Sequence, residues 1–147
     1  MRIIFVGDIH GRQSWKIPAY NEKWDKFVFI GDYFDTREDI TTLEQIHNFK
    51  EICEFSRNNI GKVVLLIGNH DAGYFSNSID QSVVSGYQCG GNISINMVLE
   101  ENKNIMQMCY IYDDGYTKLL LSHAGISHEW LINNGWNGTF PIDQFVN

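Results

Sequence analysis

Four apolar runs along the chain each end in a polar cluster. Ile3-Ile4-Phe5-Val6 leads into Gly7-Asp8-Ile9-His10-Gly11, and Phe27-Val28-Phe29-Ile30 into Gly31-Asp32-Tyr33-Phe34-Asp35. Val63-Val64-Leu65-Leu66-Ile67 leads into Gly68-Asn69-His70-Asp71, and Leu119-Leu120-Leu121 into Ser122-His123-Ala124-Gly125. Short runs without polar alternation are the pattern of strands covered on both faces, as in a parallel sheet. They predict strands over residues 2–7, 26–31 and 63–67, the third of them central.

Between these runs the period changes to that of helices. Thr41-Thr42-Leu43-Glu44 is a capping-box pattern, and Leu43, Ile46, Phe49, Ile52 and Cys53 follow at helical spacing until Asn58-Asn59-Ile60-Gly61 stops the segment. His47 shares that face and is read as a core histidine. Over residues 12–24, Trp15, Ile17, Tyr20 and Trp24 line one side of a short helix limited by Pro18. Residues 72–104 are broken by Gly73, Gly86, Gly90 and Gly91 and read as a substrate-facing insertion, with a short helix around Ile95, Val98 and Leu99. Ile105 to Tyr112 and Tyr116 to Ser122 predict a hairpin across Asp113-Asp114-Gly115. Ser127 is placed to cap a last helix that buries Trp130 and Leu131, and all four tryptophans, Trp136 included, read as core. Strands alternating with helices make this an α/β fold, one domain over residues 1–147.

Composition narrows the function. A chain of 147 residues with 44% hydrophobic positions can bury a core of its own. A net charge of −7 argues against stable nucleic-acid binding, which is carried mainly by Lys and Arg. Three cysteines without metal-site spacing, no signal-peptide pattern before Ile3 and no run long enough to span a bilayer predict a cytoplasmic protein with reduced thiols and no membrane partner.

The strand-end clusters carry the chemistry. In open α/β sheets ligands bind beyond the carboxyl ends of the strands, so the four clusters are expected to converge. Carboxylate and amide oxygens suit hard divalent cations and imidazole suits transition metals, and Asp8, His10, Asp32, Asn69 and His123 supply that mixture. One carboxylate shared by two ions holds them roughly 3.5–4 Å apart, the spacing that clamps an in-line displacement at phosphorus and acidifies a water towards hydroxide. Asp32 is the candidate bridge. His70, next to Asn69, is the candidate acid for the leaving oxygen, with a carboxylate such as Asp35 holding its other ring nitrogen. Glycine, aspartate and asparagine also favour ordinary turns, but four ordered clusters are more than turn chemistry requires.

In this order the motifs resemble the calcineurin-like metallophosphoesterases, whose signatures are Asp-x-His, Gly-Asp-x-x-Asp, Gly-Asn-His-Asp/Glu, a later isolated His and a final Gly-His-x-His. Four of the five stand between Asp8 and His123. The resemblance implies a βαβ-based sheet fold flanked by helices and a metal-dependent hydrolase of phosphoesters or phosphoanhydrides. It further implies one cation on Asp8, His10 and Asp32, another on Asp32, Asn69 and His123, and His70 with Asp35 as the acid pair. Manganese is the first expectation for both cations, with iron, zinc or nickel as alternatives. Gly7-Asp8-Ile9-His10-Gly11 looks like the protein-phosphatase and dinucleoside-polyphosphate-hydrolase branch, so the implied substrates are a phosphorylated small molecule, a nucleotide or a phosphoprotein. Thr36 and Ile67 stand where protein phosphatases carry phosphate-holding arginines, which leaves Arg37, displaced by one residue, as the phosphate-binding candidate. No Gly-His-x-His follows His123. That departure points to a missing C-terminal segment or a second chain that completes the site, and it keeps a catalytically disabled metal-binding scaffold as the non-enzymatic alternative.

Overall fold

The computed structural model describes residues 1–75, 85–133 and 135. Strand β1 (Ile3–Val6) is followed by α1 (Lys16–Asn21), β2 (Lys26–Phe29), α2 (Thr42–Asn58), β3 (Val63–Leu66) and α3 (Asn69–Phe75). After a short 3-10 turn at Cys89–Gly91 come α4 (Asn92–Asn102), β4 (Met106–Gln107), the hairpin β5 (Cys109–Asp113) and β6 (Lys118–Ser122), and α5 (His128–Asn133). The first four strands form one parallel sheet in the order β1-β2-β3-β4, and β5 and β6 form a separate antiparallel pair. No helix among the described residues is long and apolar enough to cross a membrane.

Alternation along the strands divides the core in two. Phe27, Phe29 and Leu65 face α1, α2 and α4, where they meet Trp15, Phe49, Ile52, Phe55, Ile95 and Leu99. Val28, Val64 and Leu66 face the other way and are covered by Tyr110 and Leu121 of the hairpin. Each fully buried Phe or Leu side chain contributes roughly 1.5–3 kcal/mol. The two interior strands, β2 and β3, are therefore the anchors of the sheet. The expectation of a central β3 is met, since β2 and β4 pair on either side of it.

Helix α2 starts as its sequence predicts. Thr41 accepts from the Glu44 N–H while Glu44 Oε2 accepts from the Thr41 N–H at 2.8 Å. Its inner face differs from the apolar stripe read in the sequence. Leu43 is 76% exposed and His47 lies on the solvent side, while Gln45 and Asn48 are buried. The reason is local hydrogen bonding: Asn48 accepts from Trp15 Nε1 at 2.9 Å and donates to the Arg12 carbonyl at 3.1 Å, and Gln45 donates to the Ile40 carbonyl at 3.0 Å. These polar side chains tie α2 to the loops that follow β1 and β2.

Three further expectations are corrected. β1 is an edge strand, with Phe5 48% exposed, and is not covered on both faces. The run from Ile105 to Tyr112 is not one strand: Met106–Gln107 joins the parallel sheet, the chain turns at Met108, and only Cys109–Asp113 enters the hairpin. Ser127 does cap α5 through the Trp130 N–H at 3.1 Å, but Leu131 alone is buried there and Trp130 is 51% exposed. Trp15 and Trp24 are core tryptophans, and Trp136 lies outside the described residues.

Candidate metal centre

Parallel pairing brings the carboxyl ends of β1, β2 and β3 to one edge, and the turns after them are bonded to one another. The His10 N–H donates to the Asp32 carbonyl at 2.7 Å and the Gly11 N–H to the Tyr33 carbonyl at 2.9 Å. The turns after β2 and β3 are pressed closer still. A Cβ on Gly31 would lie 2.5 Å from the Gly68 nitrogen, and one on Gly68 would lie 2.0 Å from Asp32 Oδ1. Glycine is required at both positions. Gly68→Ala is expected to displace the Asp32 carboxylate, lowering stability by roughly 1–3 kcal/mol as overpacking does, with weakened metal binding. Thermal unfolding and metal titration would check this, and unchanged values for both would show that the two turns can part at little cost.

His10, Asp32 and Asp35 have positive φ, at 44°, 53° and 63°, and no other described non-glycine residue does. Such backbone strain costs of order 1–3 kcal/mol per residue and persists only where the surroundings over-determine it. Asp71 supplies much of that determination. Its buried carboxylate accepts the N–H groups of Asp32 and Gly68 on Oδ2, at 2.8 and 2.9 Å, and that of Tyr33 on Oδ1 at 2.8 Å. Burial pushes this carboxyl up to about 8, against the downward pull of its Gly68, Tyr33 and Asp32 N–H donors. Asp71→Ala would orphan those three buried donors at roughly 1–3 kcal/mol each. Against a domain stability of roughly 5–15 kcal/mol, the expected result in chemical denaturation is a protein at the edge of unfolding. A midpoint close to that of the unsubstituted chain would refute this role.

Around Asp32, which is 3% exposed, acceptors converge. His10 Nδ1 lies 2.5 Å from the Phe34 carbonyl and His123 Nδ1 lies 3.0 Å from the Ile30 carbonyl. A carbonyl only accepts, so Nδ1 is the protonated nitrogen in both rings and a neutral ring presents its Nε2 lone pair. His10 Nε2 is 4.0 Å and His123 Nε2 3.4 Å from Asp32 Oδ2, and His123 Nε2 is 2.9 Å from Asn69 Oδ1. A ring nitrogen this close to a carboxylate or amide oxygen calls for a positive charge between them, either a proton on Nε2 or a metal cation. Donors separated by these distances can share an ion held at roughly 2.0–2.2 Å from each, so the residues fit a divalent metal. Ligand atoms of His10, Asp32 and His70 lie within 4.8 Å of one another, and so do those of Asp8, Asp32 and His123. Asp32 belongs to both groups, while Asp8 falls with His123 and His10 with His70, so the implied trio of Asp8, His10 and Asp32 is not itself one of them among the described residues.

His70 is held differently from the other two rings. Its N–H donates to Asp32 Oδ1 at 3.0 Å, its Nε2 lies 4.0 Å from Asp32 Oδ2, and its Nδ1 faces a carboxylate, Asp35 Oδ2, at 3.0 Å. The second oxygen of Asp35 accepts from the Tyr74 hydroxyl and, at 3.4 Å, from Gln88 Nε2. Burial, first, and the bond to Asp35 hold the Tyr74 phenol well above its ordinary range, so it remains a donor. Arg37 stands on the exposed surface two residues beyond Asp35, its guanidinium donating to Ser85 Oγ at 2.9 Å. The roles of Asp71, Tyr74 and Gln88 were not read from the sequence. Asp71 is part of the Gly68-Asn69-His70-Asp71 cluster, which was the available signal, whereas nothing in the local pattern marks Tyr74 or Gln88.

The model of the calcineurin-like phosphoesterase family matches residues 1–146, and the chain belongs to that family. It is a metallophosphoesterase, a hydrolase whose action on phosphoesters depends on metal. Comparison with curated proteins found no match.

Proposed function

We propose that this chain hydrolyses a phosphoester or phosphoanhydride at a two-cation centre in which Asp32 is shared. Asp8 and His10 complete one position and Asn69 and His123 the other, with His70 as proton donor. The observation that carries this reading is the convergence of His10 Nε2, His123 Nε2 and Asn69 Oδ1 on the Asp32 carboxylate, with the other nitrogen of each ring held by a backbone carbonyl. Divalent cations held there would neutralise the phosphoryl oxygens and acidify a water for in-line attack at phosphorus.

The chain's own residues do the rest. Phe34 and Ile30 carbonyls fix the His10 and His123 tautomers, so both rings offer Nε2 without rearrangement. At His70 a carboxylate takes the carbonyl's place, so a positive ring is compensated and Nε2–H is available as a donor. As the phosphorus–oxygen bond breaks, the leaving oxygen keeps the electron pair and takes the Nε2 proton; water supplies the new oxygen on phosphorus and releases a proton to solvent. Arg37, on the rim, is proposed to meet the outer phosphate or the substrate's leaving group. Mn2+ is the first choice of ion for a mixed carboxylate, amide and imidazole set.

A second reading has its own observation: His70 Nε2 stands as near Asp32 Oδ2 as His10 Nε2 does, at 4.0 Å, so His70 is a ligand candidate as well. Metal content of a His70 variant separates the two. The substrate class is tested by assaying 4-nitrophenyl phosphate, its bis-ester, a diadenosine polyphosphate and a phosphopeptide with added Mn2+. Hydrolysis of at least one supports the reading, and turnover of none by metal-loaded protein contradicts it.

A further inference from the structure

Beyond the residues that face the metal centre, a continuous polar network lies behind Asp35. Tyr74, 2% exposed, donates its hydroxyl to Asp35 Oδ1 and accepts the Gln88 N–H on the same oxygen atom at 3.0 Å. Gln88 Nε2 reaches Asp35 Oδ1 at 3.4 Å and Gln45 Oε1 at 3.1 Å, and Gln88 Oε1 accepts from the Thr42 hydroxyl. The Tyr74 ring is held by stacking on Tyr87, with centroids 4.9 Å apart, and its carbonyl by Asn96 Nδ2 at 2.6 Å. The carboxylate thus has one oxygen committed to the network and the other, Oδ2, to His70 Nδ1.

We infer that Tyr74 is a positioning residue for proton delivery: by fixing Asp35 Oδ1 it keeps Oδ2 on His70 Nδ1 and so aims Nε2 at the leaving oxygen. Without the phenol, the Asp35 side chain can turn about its terminal torsion, which is a broad and soft one. The inference rests on the reading of His70 as the acid.

The test uses the full chain with Mn2+, comparing Tyr74→Phe and His70→Asn on 4-nitrophenyl phosphate, whose leaving group needs little help, and phenyl phosphate, whose leaving group needs a proton. Tyr74→Phe is expected to lower kcat for phenyl phosphate roughly tenfold, within the range a lost charge-assisted bond supports, with a much smaller loss for 4-nitrophenyl phosphate. KM and bound metal should stay unchanged. A readout apart from activity is the His70 Nδ1 proton in the metal-free protein, whose downfield NMR resonance should move or broaden in Tyr74→Phe. Equal losses on both substrates, or an unmoved resonance, overturn the inference. If His70→Asn is selective for phenyl phosphate while Tyr74→Phe is not, the positioning role fails alone; if His70→Asn shows no selectivity, the acid role fails and the inference with it. Should Tyr74→Phe not fold, Gln88→Ala removes the other donor to the same oxygen and faces the same outcomes.

Discussion

Asp32→Asn is expected to abolish metal binding and hydrolysis together while leaving the fold in place. Asparagine retains an oxygen for the His70 N–H, which now donates to Asp32 Oδ1 at 3.0 Å, and it tolerates the positive φ of 53° at this position. What it loses is the negative charge on the oxygen that His10, His70 and His123 face within 4.0 Å, and in its place an amide N–H2 points at them. An uncompensated buried carboxylate is costly without its cation, so the metal-free variant should melt no lower than the unsubstituted protein. Metal analysis, thermal unfolding and turnover on the same sample would check all three statements. Retained metal with retained turnover would remove Asp32 from the shared position.

His70→Asn is expected to slow turnover by roughly 10²–10⁴-fold, the usual contribution of a positioned acid, with metal content unchanged. The backbone bond from residue 70 to Asp32 Oδ1 does not depend on the side chain, so the centre should keep its shape. The substitution strips Asp35 Oδ2 of its ring partner and removes the group proposed to deliver the proton. Metal analysis beside steady-state kinetics checks the expectation. A variant that loses one equivalent of metal along with activity would make His70 a ligand, the role its 4.0 Å approach to Asp32 also permits.

Much of this centre is legible in the sequence because each strand stops where its polar cluster begins. Parallel pairing of β1, β2 and β3 brings three of those clusters to one edge, and His123 reaches them from β6 through the Ile30 carbonyl. The βαβ order, the capping box of α2 and the interior place of β3 follow from patterns that are local in sequence. Other features depend on partners far along the chain. Gln45 and Asn48 are buried because their hydrogen bonds go to Ile40, Trp15 and Arg12, so hydrophobic periodicity placed Leu43 and His47 on the wrong face. Asp and His enter positive φ more readily than most residues, but nothing in the sequence marks His10, Asp32 and Asp35, out of all the chain's Asp and His, as the ones that do. Asp71 reads as the end of a motif, yet its function is to hold three N–H groups from two turns. Tyr74 and Gln88 meet Asp35 across 39 and 53 residues, a distance at which no local pattern speaks. The residues that follow Asn133, Gly135 apart, lie outside the described structure, and with them the expectation of a further ligand or a completing segment.

The most direct measurement is metal stoichiometry on the purified chain after loading with Mn2+, by elemental analysis, with 4-nitrophenyl phosphate hydrolysis followed on the same sample. Two equivalents per chain, rising in step with turnover and both lost in Asp32→Asn, is the result expected of a shared-carboxylate centre. One equivalent with full turnover, or two that Asp32→Asn leaves in place, would contradict it.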